Sequence, residues 1–101
     1  MQVCEEMKKF RKLLDEKNVA WEDDSDDMKS SIEMWICRTH FEWKGNEVSV
    51  INGFGTYGGW AGANLKDKNM GLLEIMVRNN WPEGWLTADE CMEYLESDKW
   101  S

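Results

Sequence analysis

The sequence predicts an α+β domain with an N-terminal helix, a central antiparallel β-hairpin that could take a third strand, and two C-terminal helices packed on the sheet. Three features point there. Apolar residues recur at helical spacing near the N-terminus, side chains alternate over residues 32–43 ahead of a Gly45-Asn46 turn signal, and a capping box opens the last apolar stripe. At 101 residues the chain has enough length for one core and too little for two, so residues 1–101 are expected to form a single domain.

In residues 2–17, Val3, Met7, Phe10 and Leu14 follow at intervals of four, three and four, with Leu13 alongside and Lys, Arg and Glu on the other faces. That is the pattern of an amphipathic helix. Asn18 suits a left-handed terminator, and Val19-Ala20-Trp21 an extended return. The next segment, Glu22-Asp23-Asp24-Ser25-Asp26-Asp27, holds five carboxylates in six residues, and their repulsion predicts a solvated loop. It lacks the glycine and the distal glutamate of a calcium loop, so no metal site is expected. Ser25 or an aspartate is also placed to cap a short turn at Met28-Lys29.

Alternation then puts Trp35, Cys37, Thr39, Phe41 and Trp43 on one strand face, and Ile32, Met34, Ile36, Arg38, His40 and Glu42 on the other. With Gly45-Asn46 as the central turn residues, the expected register sets Lys44 opposite Glu47, Trp43 opposite Val48, Phe41 opposite Val50, His40 opposite Ile51 and Arg38 opposite Gly53. Residues 54–70 lose periodicity and are rich in glycine, which predicts a long loop. In residues 71–78 the Leu, Glu and Met content suits a short helix better than a strand, although so short an apolar run leaves a strand open. After a turn at Pro82, Trp85-Leu86 suits a brief strand. Thr87 and Glu90 then form the capping box of the final helix, with Leu86 and Cys91 at the staple positions.

Composition narrows the function classes. The formal net charge of -8, from 20 acidic and 12 basic residues, disfavours direct binding to nucleic acid or anionic membrane and favours a basic partner. Three widely spaced cysteines match neither a disulfide framework nor a metal knuckle, and no long apolar run suggests a signal peptide or membrane span. A cytoplasmic protein is expected. Seven tryptophans exceed what one small core encloses, so Trp60, Trp81 or Trp100 would mark an exposed surface and a homo-oligomer.

No catalytic constellation is legible. His40 is the only histidine, and Cys37 belongs on the opposite strand face from it, which separates a thiol from its base. A ligand site is more readily drawn than an active site. In Gly53-Phe54-Gly55-Thr56-Tyr57-Gly58-Gly59-Trp60, the backbone N–H groups of Gly55, Gly58 and Gly59 could converge on an anion, Ser49 and Thr56 could donate hydroxyls, and Tyr57 or Trp60 could stack on a base. Arg38, at the loop's entry in the expected register, would clamp phosphate. The competing structural expectation is that Arg38 neutralises Glu74 or the acidic run.

Leu13-Leu14-Asp15-Glu16-Lys17, Trp21-Glu22-Asp23, Arg38-Thr39-His40-Phe41, the stretch from Val48 through the GFGTYGG motif, Gly71-Leu72-Leu73-Glu74 and Gly84-Trp85-Leu86-Thr87-Ala88 together resemble a group of small uncharacterised prophage proteins of Gram-positive bacteria. The resemblance spans nearly the whole chain and brings no catalytic residues or cofactor with it. It implies a phage accessory protein acting in the host cytoplasm as a stoichiometric inhibitor of defence. Two routes fit. The first is non-enzymatic sequestration of a nucleotide-like anionic immune signal by Arg38, Ser49 and residues 55–60. The second is direct contact with a host defence protein, a nuclease or CRISPR effector, in which Glu22, Asp23, Asp24, Asp26 and Asp27 present the charge of a nucleic acid to a basic groove.

Overall fold

The structure, a computed structural model, describes residues 3–27, 35–53, 71–78, 80–98 and 100. The elements are α1 (Glu5–Glu16), β1 (Trp21–Asp23), β2 (Asp26–Asp27), β3 (Trp35–Trp43), β4 (Asn46–Gly53), β5 (Leu73–Val77), β6 (Glu83–Leu86) and α2 (Ala88–Glu96). All strand pairings among the described residues are antiparallel, in the order β1-β3-β4-β5-β6, and β2 follows β1 along the same edge of β3. The α+β class is as the sequence predicts. No described helix is long and apolar enough to cross a membrane.

Helix α1 buries Met7, Phe10 and Leu14, the stripe its spacing lays on one face. It ends where Asn18 takes φ 58, the left-handed conformation that asparagine tolerates better than most side chains. Thr87 caps α2 through the complete capping box with Glu90, and Cys91, Met92 and Leu95 face the core. Glu6 of α1 accepts the backbone N–H of Ala88 at 2.7 Å, and Lys9–Asp89 (2.8 Å) and Lys17–Glu96 (3.2 Å) join the two helices at the surface. Both helices cover the sheet face that carries Cys37, Phe41, Val48, Val50, Leu73, Ile75 and Val77, with the Phe10 and Phe41 ring centroids 5.7 Å apart.

Four expectations are corrected. The acidic run does not form a loop: Trp21–Asp23 and Asp26–Asp27 are strands β1 and β2, because β3 offers its outer edge and backbone pairing outweighs a repulsion that water screens. The hairpin register is displaced by two residues, so Phe41 faces Val48, His40 faces Ser49, and Arg38 faces Ile51 instead of Gly53. The turn residues are Lys44 and Gly45, at φ 49 and φ 80, a type I′ turn in which glycine takes the second position. A two-residue shift keeps every side chain on its predicted face.

Residues 73–77 form a strand and not a helix, which leaves one C-terminal helix among the described residues instead of two. Leu73, Ile75 and Val77 are buried and alternate with Glu74 and Met76, a period of two that suits a strand paired on both sides. Finally, Trp100 packs against the core and donates its indole N–H to the Leu95 carbonyl at 2.9 Å, whereas Trp81 is 91% exposed as expected. The cap at Met28-Lys29 and the exposure of Trp60 lie outside the described residues.

Candidate functional site

The helices leave the other sheet face uncovered among the described residues. Register places its side chains in rows across the strands: Glu22, His40, Ser49 and Met76 in one, Arg38, Ile51 and Glu74 in the next. Towards the hairpin turn, Glu42 stands directly opposite Glu47. Like charges in that position repel, and neither carboxylate has an ion pair among the described residues.

The acidic edge is fixed from below by Arg11, which the sequence pattern ranked only as a polar face of α1. Its side chain is 11% exposed. It donates to the Thr39 hydroxyl at 2.7 Å and to the Arg38 carbonyl at 3.3 Å, stacks 4.7 Å from the Trp21 ring centroid, and pairs with Asp23 at 3.4 Å. The Ser25 backbone N–H and hydroxyl both donate to Asp23 as well. That hydroxyl, then Arg11, holds the Asp23 carboxyl below its ordinary value. Glu22, Asp23 and Asp24 are nonetheless exposed, so the edge is anchored while its carboxylates face water.

Arg38 belongs to this edge. Its backbone N–H donates to the Ser25 hydroxyl at 3.0 Å, and its guanidinium donates to the Asp24 carbonyl at 3.1 Å and reaches the Asp24 carboxylate at 3.5 Å. The structural expectation that Arg38 neutralises the acidic run therefore describes its contacts better than a free phosphate clamp does. Of the other residues assigned to a ligand site, Ser49 lies on the open face one row from Arg38, and Gly55, Thr56, Tyr57, Gly58, Gly59 and Trp60 lie outside the described residues. In the acidic set, Glu22, Asp23 and Asp24 come together on and just after β1, and the backbones of Asp26 and Asp27 continue the same edge as β2.

Thiol chemistry finds no support among the described groups. Cys37 lies on the helix-covered face, away from His40, and burial pushes the Cys4, Cys37 and Cys91 thiols up. The open face also carries a concavity of about 400 Å³ beside the hairpin turn, lined by His40, Gly45, Glu47, Ser49, Met76 and Arg78. Sequence reasoning missed it, because Arg78 and Met76 join Ser49 only once residues 73–77 are paired as a strand. Comparison with family models, curated proteins and solved structures finds no match to this chain.

Proposed function

We propose that this protein is a non-enzymatic binding module that presents its acidic edge to a basic protein surface. In the setting implied by the prophage resemblance, it inhibits a host nuclease or CRISPR effector by standing in for nucleic acid. The observation that carries this is the display of Glu22, Asp23 and Asp24, three exposed acidic residues at consecutive positions on and beside an edge strand, with Asp23 held by Arg11 and Ser25 and Asp24 by Arg38. Side chains alternate along a strand, so Glu22 lies on the open face beside His40 while Asp23 turns to Arg11, and the edge carries acidic groups to both sides. Anchoring also lowers the entropy that binding would otherwise have to remove.

Sequestration of a nucleotide-like signal by Arg38 and the glycine-rich segment draws less support, because Arg38 would have to leave Asp24 to reach a phosphate. The two routes separate cleanly in a binding assay against purified host nucleases and CRISPR effectors. The acidic-edge route predicts complexes that weaken with added salt, are lost in the combined Glu22→Gln, Asp24→Asn, Asp26→Asn, Asp27→Asn variant, and survive Arg38→Ala. Binding that ignores the four neutralisations and fails with Arg38→Ala would reject it. Asp23 is left intact so that β1 keeps its anchor.

A further inference from the structure

We propose that the concavity beside the hairpin turn binds a phosphomonoester of nucleoside monophosphate size, with Arg78 holding the phosphate. This site adjoins the acidic edge, since His40 is the cross-strand neighbour of Glu22, but the proposal does not depend on the edge's role.

In a chain of net charge -8, Lys8, Lys9, Arg11, Lys17, Arg38 and Lys44 each have a carboxylate partner; of the two described cations without one, Lys12 and Arg78, it is Arg78 that lines the concavity. Arg78 has no ion pair among the described residues, although the fold sets it beside Glu47. Its backbone takes φ 54, and its N–H donates to the Glu47 carbonyl at 2.8 Å, which holds the backbone just after β5. An unpaired guanidinium on a concave wall is suited to a bidentate oxyanion contact.

The surroundings complete a receptor. Ser49 and His40 are cross-strand neighbours, and neither side chain has a hydrogen-bond partner among the described residues, so a hydroxyl and an imidazole remain for the ligand. Met76, paired with Ser49 and 40% exposed, adds a polarizable wall suited to the edge or face of a flat ring. Gly45 leaves the rim open: a side chain there would meet nothing within 4 Å. The volume of about 400 Å³ falls within the usual range for small-molecule sites.

Glu47 decides the ligand class. Its carboxylate disfavours a bare dianion, but it can accept from a hydroxyl or amino group on the same molecule as the phosphate. A phosphate attached to a body that carries such donors satisfies Arg78 and Glu47 together, as a nucleoside monophosphate does and inorganic phosphate does not.

The test is an amide NMR titration of the full chain with AMP, with inorganic phosphate and adenosine as separate arms. AMP is expected to give saturable shifts centred on Gly45, Ser49, Met76 and Arg78, and to bind more tightly than either fragment. Arg78→Gln should weaken AMP binding by about tenfold or more, as expected for loss of a charge-assisted contact, and Ser49→Ala by a smaller factor. Lys12→Gln, which removes a cation on α1 that is likewise without a carboxylate partner, should leave it unchanged. The amide spectrum reports whether each variant is folded, and Ser49→Ala retains the test if Arg78→Gln is not. Phosphate binding as tightly as AMP, shifts located away from the concavity, or a folded Arg78→Gln variant that binds AMP as the parent does would overturn the proposal.

Discussion

On the face covered by α1 and α2, polar groups that enter the core are matched: Thr39 is fully buried, accepts from Arg11 and donates to the Met7 sulfur. On the opposite face of the same strands, one residue along, His40, Glu42, Glu47 and Ser49 make no side-chain hydrogen bond or ion pair among the described residues. Burial explains the contrast. An unpaired polar atom in the core costs about 1–3 kcal/mol, so matching is enforced there, whereas water satisfies the same atom at the surface. Unmatched groups on the open face are thus available to a ligand or partner at little cost to the fold. The covered face has one exception, the buried Trp43 indole N–H, which lacks a partner among the described residues.

Mutations that separate the faces should differ most in the core. Phe10→Ala removes a fully buried ring packed on Phe41 and should destabilise the protein by about 3–5 kcal/mol in denaturant unfolding, while Met76→Ala on the open face should stay within about 0.5 kcal/mol. Equal losses would erase the distinction between the faces.

Arg11→Met keeps most of the apolar stem but strips Thr39, Asp23 and the Arg38 carbonyl of a donor, for an expected loss of about 1–3 kcal/mol. The same network sets a pH dependence. Because Asp23 titrates below its ordinary value of 3.8, its contribution is complete above that value and disappears as pH falls through the depressed native one. Amide protection in β1 should therefore fall in acid, and the Ser25→Ala variant should lose it at a higher pH. The smallest effect has the opposite sign: Glu42→Gln relieves the Glu42–Glu47 repulsion and should stabilise by about 0.5 kcal/mol, most visibly at low salt.

Elements with local signals are legible in the sequence. The spacing of Met7, Phe10 and Leu14 marked α1, Asn18 its end, and Thr87 with Glu90 the start of α2. The two faces of the hairpin were legible as well, but its register was not, since a displacement by two residues leaves the alternation intact. Only the turn decides, and Lys44 had to be read as adopting a left-handed conformation to put Gly45 second. Strand β5 was obscured because its helix-favouring composition is overruled by neighbours on both sides. The candidate site shared that fate. Arg38 and the acidic residues could be named from sequence, but their mutual contact depends on β1 lying beside β3, and the grouping of Arg78 with Ser49 depends on β5.

The outer margin of β3 is shared by two short strands, with Asp24 and Ser25 between them. A second molecule adding itself there would find only three residues and then two to pair with, and an antiparallel copy would bring aspartate against aspartate. Such a margin resists the stacking that leads to fibrils. A basic visitor would meet no such barrier, so the feature that would set identical molecules against one another at this edge would suit a cationic one.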